Sequence, residues 1–457
     1  MVPFTDLPDR RPLRRQAAAL ARLGAPLVGS HLAQIALVAT DTLMMGWYDV
    51  TALAGLSLGG PMFFVLFILG SGFALAVMPM VASAAGTASD AEVRRVTRMG
   101  LWLSVLYGVI ATVPLLVAEP ILLALGQAPE VAHQAGLYLS IAGWGLTLHI
   151  LTMVLKSYLS ALELTRIVLV VTVIAAILNV PMNYALIFGH WGLPELGIRG
   201  AAISSVIVQV LSVVALALYA RRRTARYELF RNLHRPDWPA FRRVFRVGLP
   251  IGLTSLAETG LFTATSLLMG WVGTVELAAH GIALQIASIT FMVHVGLSSA
   301  VTVRVGQARG RGDRDGMRDA ALAGLMLSGA AVVATMAAFL LIPDILVGAF
   351  VDPDDPARGQ ILAAGALFLA LGAAFQLFDA GQAMALGMLR GVEDTGVPMV
   401  LAGIAYWGLG LPAAWLLAFQ AGLGGAGVWL GLVTGLGGAA VALNLRFWRR
   451  MLAPARP

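Results

Sequence analysis

Three acidic residues lie inside long apolar stretches of this sequence, where charged side chains are rare. Asp41, Glu258 and Asp379 each interrupt a run rich in Leu, Ala, Val and Phe. An ionised carboxylate at the centre of a bilayer costs about 3 kcal/mol even on insertion scales, so such a residue faces protein or a water-filled cavity. We expect that no basic residue inside the apolar runs neutralises these three carboxylates. Each carboxylate can take up a proton or bind a small cation, and both reactions suit a carrier driven by H⁺ or Na⁺.

Two amide side chains are predicted to accompany the first carboxylate. Asn179 and Asn183 are one helical turn apart, which places both on one face of a helix. We predict that they hold a cation together with Asp41; the alternative is that they only join neighbouring helices by hydrogen bonds. The predicted coupling-ion site is therefore made of Glu258, Asp379, Asp41, Asn179 and Asn183.

The coupling ion can be Na⁺ or H⁺, because carboxylates bind both. If the ion is Na⁺, we expect it at Glu258 and Asp379. We expect the transported substrate to contact Asp41, Asp379 and Glu258 together with two glutamines, Gln34 and Gln382. No cofactor is expected, and the absence of cysteine excludes disulfides, zinc–thiolate sites and cysteine nucleophiles.

The elements that carry these residues are apolar runs long enough to cross a membrane. Of 457 residues, 59% are hydrophobic and 12% are charged, which is about half the charge of an ordinary soluble domain; the mean hydropathy is +0.83. A bilayer needs about 20 apolar residues for a helix but only about 10 alternating residues for a barrel strand. The sequence therefore predicts an all-α integral membrane protein with twelve transmembrane helices, at residues 23–47, 54–81, 98–118, 135–159, 167–189, 200–220, 246–271, 277–303, 319–343, 361–388, 397–419 and 425–445.

Basic residues gather in alternate connections between these runs, whereas the opposite side has only Arg199 and Arg358. The positive-inside rule then places both termini and the long middle connection in the cytoplasm. This pattern explains the formal net charge of +7 without a nucleic-acid partner. The first run is too long for a signal-peptide core, so we expect it to remain as the first membrane helix. Lys156 is the only lysine among the basic residues, a bias typical of GC-rich bacterial genomes, so we expect a multi-pass protein of a bacterial inner (plasma) membrane.

The sequence contains an internal repeat. The alignment that places Pro26 on Pro250 needs no gap from Gly24 to Gly100, and it also matches Met45-Gly46-Trp47 with Met269-Gly270-Trp271. We therefore predict two six-helix lobes, residues 1–220 and 246–457, joined by a cytoplasmic basic linker at 221–245. Two such lobes with a cleft between them suit alternating access.

Several motifs resemble the multidrug and toxin extrusion (MATE) family, and specifically its NorM branch, over essentially the whole chain. They are Pro26, Gln34, Asp41-Thr42 and Gly46; Asn179-Val180-Pro181-Met182-Asn183-Tyr184; Val303-Arg304-Val305-Gly306; and Leu389-Arg390-Gly391 with Asp394-Thr395 and Pro398. The resemblance implies a secondary active transporter, not an enzyme, that exports bulky cationic drugs in exchange for Na⁺ or H⁺.

The resemblance also implies roles for single residues. Glu258 and Asp379 match the family's cation-site carboxylates in the second lobe, and Asp41, Asn179 and Asn183 match the site in the first lobe. Ser205 stands where relatives often have threonine, and both residues offer a hydroxyl. The expected partners are small organic cations and membrane lipids, and the expected state is a monomer.

Four alternatives remain open. A major-facilitator carrier also has two six-helix halves, and Asp313-Arg314-Asp315-Gly316 is similar to its loop motif. A lipid-linked oligosaccharide flippase or metabolite exporter of the same superfamily would usually line its cavity with basic residues, whereas these spans contain carboxylates. A membrane enzyme would need convergent catalytic groups; no His-x-x-x-His motif occurs, and the one Gly-x-Ser-x-Gly match, at residues 55–59, lies inside an apolar run. A channel is less compatible with the duplication into two lobes.

Overall fold

The protein is described by a computed structural model of residues 13–452, with side chains described to residue 450. Within that range it is helical and contains no strand. The long helices of this range are α1 (Leu13–Tyr48), α2 (Val50–Gly86), α3 (Asp90–Leu116), α4 (Pro129–Ala161), α5 (Thr165–Phe188), α6 (Ile198–Arg223), α7 (Trp238–Val272), α8 (Thr274–Gly310), α9 (Arg314–Leu341), α10 (Arg358–Gly391), α11 (Gly396–Gln420) and α12 (Gly424–Leu452). Shorter helical segments span Ala118–Ala124, Ala225–Tyr227 and Pro343–Gly348.

Eleven of these long helices are long and apolar enough to cross a membrane. The remaining one, α7, has 35 residues, but Glu258 and several threonines and serines make it less apolar than the others. The prediction of an all-α membrane protein with about twelve spanning helices is confirmed. Most helices extend beyond the predicted runs, because backbone hydrogen bonding continues past the apolar stretch.

The chain forms two compact units. One, the N-unit, contains residues 29–252; the other, the C-unit, contains residues 13–28 and 253–452 of the described chain. The boundaries fall inside α1 and α7, at positions that correspond in the internal repeat. The predicted lobes 1–220 and 246–457 therefore differ from these units in how α1 and α7 are divided, and the predicted linker 221–245 lies within the N-unit.

Close glycine contacts explain where the first part of each divided helix packs. In the C-unit, a methyl group added to Gly296 of α8 would come within 2.7 Å of the Val28 nitrogen on α1. In the N-unit, a methyl group on Gly248 of α7 would come within 2.7 Å of the Phe73 Cα on α2. Small residues allow helix backbones to approach this closely in a membrane, and each unit contains one such contact at a glycine.

The repeat also preserves a helix start. Ser89 accepts a hydrogen bond from the Glu92 backbone nitrogen at the beginning of α3 (3.4 Å), and Asp313 accepts one from the Gly316 nitrogen at the beginning of α9 (2.7 Å). Such side chains satisfy backbone donors that a helix N-terminus leaves unpaired. Ser89 and Asp313 correspond in the alignment of Pro26 with Pro250, so each copy begins its third helix in the same way.

The connection from α6 to α7 is attached to α3 within the N-unit. The Trp102 indole nitrogen donates to the Leu233 carbonyl at 2.7 Å, and Arg94 pairs with Glu228 at 3.1 Å. Arg95 binds both carboxylate oxygens of Asp237. These bonds give the basic connection a fixed path over the end of α3.

One long helix, α11, is irregular. Its segments Ile404–Gly410 and Leu416–Gln420 are π-helical, so that each turn is wider than in an α-helix. The first segment approaches α12 closely, since a methyl group on Gly410 would come within 2.9 Å of the Gly435 Cα. Short π-helical stretches inside α-helices occur often at functional sites.

Candidate functional site

The N-unit contains a buried polar site around Asp41 of α1. The Asn183 side-chain nitrogen donates to Asp41 Oδ1 at 2.6 Å, and the Ser205 hydroxyl donates to Asp41 Oδ2 at 3.2 Å. Asn183 also donates to Asn179 Oδ1 at 3.1 Å. Helices α1, α5 and α6 thus bring together Asp41, both predicted asparagines and the serine that sequence comparison singled out.

Local helix geometry positions the two amides. Asn179 and Asn183 are one turn apart on α5, and both are fully buried. Asn183 Oδ1 makes no hydrogen bond within the described residues. The site therefore contains one carboxylate held by neutral donors and one amide oxygen that remains free to accept. Hydrogen bonds from these donors favour the charged form of the carboxylate, whereas its burial favours the neutral form.

The C-unit contains a second site that joins α7 and α10. The Gln382 side-chain nitrogen donates to Glu258 Oε1 at 2.8 Å. Asp379 lies one turn before Gln382 on α10, so both side chains project from the same face of that helix. Asp379 is 2% exposed and Gln382 is fully buried. Asp379 also interacts electrostatically with Glu258, so the structure brings both predicted carboxylates together with one predicted glutamine.

Some oxygens of the C-unit site have no hydrogen-bond partner within the described residues. They are Asp379 Oδ1, Gln382 Oε1 and the hydroxyl oxygen of Tyr406. Buried polar groups in folded proteins are almost always paired. The carboxylates of Glu258 and Asp379, with the unpaired Gln382 and Tyr406 oxygens, form an environment that suits a small, hard cation, which prefers oxygen ligands.

Two residues of this site escaped sequence reasoning. Arg390, at the end of α10, acts electrostatically on Glu258; it lies just beyond the predicted run 361–388, so the expectation about basic residues inside the runs did not cover it. The sequence placed Arg390 in a turn, whereas α10 continues to Gly391. Tyr406 interacts with Glu258, Asp379 and Arg390; no spacing or charge pattern marked this tyrosine, because its contacts depend on how α11 packs.

The structure does not bring Gln34 into either group. The Gln34 side chain is exposed on α1. It lies about two helical turns before Asp41, on the same side of α1. Among residues 13–452, no group of three or more His, Cys, Asp or Glu side chains is arranged to hold a metal ion. The carboxylates of each site therefore depend on amides and hydroxyls for further ligands.

Comparison with known proteins gives the family. The MatE family profile matches residues 26–185 and residues 250–416. The chain belongs to the MatE family. The two matched segments begin at the prolines that align in the internal repeat, so the MatE duplication and the repeat are the same feature. The predicted membership of the MATE family is confirmed.

Curated MatE relatives match nearly the whole chain. A probable multidrug resistance protein NorM of Rhizobium meliloti is 49% identical over 429 residues, covering 93% of this chain and 92% of that protein. A protein of the same name from Agrobacterium fabrum is 45% identical over 427 residues, with 93% and 92% covered. The predicted similarity to the NorM branch is therefore confirmed.

Solved structures agree with the MatE fold. A multidrug resistance MATE family transporter of the MOP superfamily, in an outward-facing conformation, superposes with a TM-score of 0.88 at 20% identity, with 97% of each chain covered. The eukaryotic MATE transporter AtDTX14 gives a TM-score of 0.82 at 20% identity, again with 97% of each chain covered. At this level of identity the likeness shows the fold.

Proposed function

We propose that this MatE protein is a secondary active transporter that exports bulky organic cations, drugs among them, in exchange for Na⁺ or H⁺. The observation that carries the proposal is the C-unit site, where Glu258 and Asp379 are placed together with oxygens that have no partner within the described residues. A site of this kind is costly inside a membrane unless a positive charge visits it. The names of the NorM relatives support multidrug compounds as the substrate class.

Charge neutralisation gives the exchange a physical basis. A proton or Na⁺ that enters from outside neutralises the carboxylates, and a cationic substrate then loses its electrostatic attraction to them and leaves. A membrane potential of 100 mV adds about 2.3 kcal/mol for each positive charge carried inward. The carboxylates therefore link the inward movement of the ion to the outward movement of the substrate.

We further propose that the chain works as a monomer in a bacterial inner membrane, with both termini in the cytoplasm. The arginines that flank α6 and α7 support this orientation through the positive-inside rule. The same charges favour contact with anionic lipid headgroups at the cytoplasmic surface.

Inverted membrane vesicles test the proposed function. A cationic dye such as ethidium is supplied outside, and Na⁺ and pH gradients are imposed separately. We expect saturable dye uptake that depends on at least one gradient, that is lost in Glu258→Gln, and that persists in Glu276→Gln, a matched change at the start of α8. Dye uptake that is equally fast without either gradient would contradict an exchange mechanism.

A further inference from the structure

Tyr406 is a buried polar residue beside the C-unit site that the mechanism above does not use. It lies in the π-helical segment Ile404–Gly410 of α11 and is fully buried. Its hydroxyl oxygen makes no hydrogen bond within the described residues. A buried hydroxyl without a partner is unfavourable, so the position calls for a specific explanation.

Neighbouring contacts place this segment of α11 beside Glu258. The indole nitrogen of Trp407, the next residue, donates to the Ala257 carbonyl at 3.1 Å. A methyl group on Gly260 would come within 2.8 Å of the same indole ring. Trp407 therefore contacts α7 on both sides of Glu258 in sequence, and Tyr406 is carried next to that turn.

Tyr406 interacts electrostatically with the charged residues of the C-unit site. Glu258 and Asp379 both act on its hydroxyl, and so does Arg390. Two further buried oxygens of this group, Asp379 Oδ1 and Gln382 Oε1, also have no partner within the described residues. The C-unit thus gathers charged and neutral oxygens from three helices, α7, α10 and α11.

We propose that Tyr406 makes the C-unit site selective for Na⁺ over H⁺. Its hydroxyl oxygen, with Gln382 Oε1, completes the coordination of a Na⁺ ion held by Glu258 and Asp379. This inference rests on the proposed function and names its coupling ion. Na⁺ needs several oxygen ligands, and neutral phenol and amide oxygens supply them without adding charge. A proton needs only one carboxylate oxygen, so the tyrosine hydroxyl favours Na⁺ over H⁺.

Calorimetric titration of the purified full-length protein with NaCl, at fixed pH and ionic strength, tests the proposal. We expect Tyr406→Phe, which keeps the ring, to raise the Kd for Na⁺ about tenfold or more. Gln382→Met should change the Kd in the same direction and provides a second test if the first variant does not fold. The matched control is Tyr158→Phe, because Tyr158 is also fully buried but donates to Thr224 in the N-unit.

The outcomes separate this proposal from the proposed function. Unchanged Na⁺ affinity in both site variants, an equal loss in Tyr158→Phe, or no Na⁺ binding by the wild type would each overturn the role of Tyr406. In the last case, dye efflux driven by a pH gradient would leave the proposed exchange intact. Conversely, Na⁺ binding that depends on Tyr406 in a protein without ion-driven transport would reject the exchange and support the site.

Discussion

At the residue scale, the two carboxylates of the C-unit differ in their surroundings. Glu258 accepts a hydrogen bond from Gln382 and interacts with Arg390, whereas Asp379 Oδ1 has no partner within the described residues. Because Arg390 offsets one negative charge, a single added cation comes close to neutralising the group. The charge balance of the site therefore fits one Na⁺ or one proton for each transport cycle.

Neutral isosteres at these carboxylates test their role. We expect Glu258→Gln or Asp379→Asn to abolish ion-driven efflux, because an amide cannot bind a proton or attract Na⁺ as a carboxylate does. Shape and packing are preserved, so yield and elution volume on size exclusion should match the wild type. Drug resistance at the wild-type level in cells that express either variant normally would contradict this prediction.

The hydroxyl at position 205 gives a finer test in the N-unit. Ser205→Ala removes the hydrogen bond from the Ser205 hydroxyl to Asp41, and bonds to charged groups contribute about 1.5–3 kcal/mol. We expect the ion concentration for half-maximal efflux to change about tenfold, a shift that matches about 1.4 kcal/mol. Ser205→Thr retains the hydroxyl and should behave as the wild type; if alanine and threonine variants are indistinguishable, this bond does not contribute to coupling.

At the element scale, the α6–α7 connection depends on the bond between Arg95 and Asp237. Hydrogen bonding to the Arg95 guanidinium lowers the pKa of the Asp237 carboxyl. A lowered carboxyl pKa contributes stability above the ordinary value of about 4, and this contribution is lost as the pH falls through the lowered value. The connection is therefore expected to loosen only in strong acid.

Asp237→Asn tests that contribution. We expect a decrease in unfolding free energy of about 1–2 kcal/mol at pH 7, because a charged hydrogen bond becomes a neutral one. Thermal unfolding in detergent should show a lower midpoint at pH 7, and the difference from the wild type should begin to shrink below about pH 4 and vanish only below the lowered pKa of Asp237. Asp354→Asn, in an exposed loop, is the control; a deficit that stays constant from pH 7 into strong acid would show that charge is not its cause.

Also at this scale, apolar runs were sufficient to predict the helices but not their full lengths. The run 23–47 marks the part of α1 that lipid can cover, whereas the helix begins at Leu13 and includes arginines. An apolar run marks the part of a helix that lipid covers, whereas the helical hydrogen bonds of the backbone continue beyond that part. The π-helical turn that carries Tyr406 could not be predicted, because it depends on the packing of α11 against α7 and α12.

At the scale of the whole molecule, the repeat is symmetrical in fold but not in charge. The alignment of Pro26 with Pro250 places Gln34 on Glu258 and Asp41 on Thr265, so the two copies carry their acidic residue about two helical turns apart. Sequence spacing predicted that Asn179 and Asn183 share one helix face beside Asp41, whereas the pairing of Glu258 with Asp379 was implied by the resemblance to the MATE family. It could not predict Arg390 or Tyr406, whose roles depend on tertiary contacts.

The absence of cysteine makes the orientation of the whole chain directly testable. We expect a single cysteine introduced as Arg235→Cys, between α6 and α7, to react with an impermeant maleimide in inverted vesicles but not in intact cells. Asp354→Cys, in the connection before α10, should give the opposite result. Labelling of Arg235→Cys from outside intact cells would reverse the proposed topology.

The account as a whole depends on the buried carboxylates as the groups through which ion entry drives export. The most direct measurement is drug accumulation against its gradient in liposomes that contain the purified protein, with the driving ion gradient imposed. We expect uphill accumulation with the wild type and only equilibration with the triple variant Asp41→Asn, Glu258→Gln and Asp379→Asn. Uphill, ion-driven accumulation by the folded triple variant at the wild-type rate would contradict the central claim.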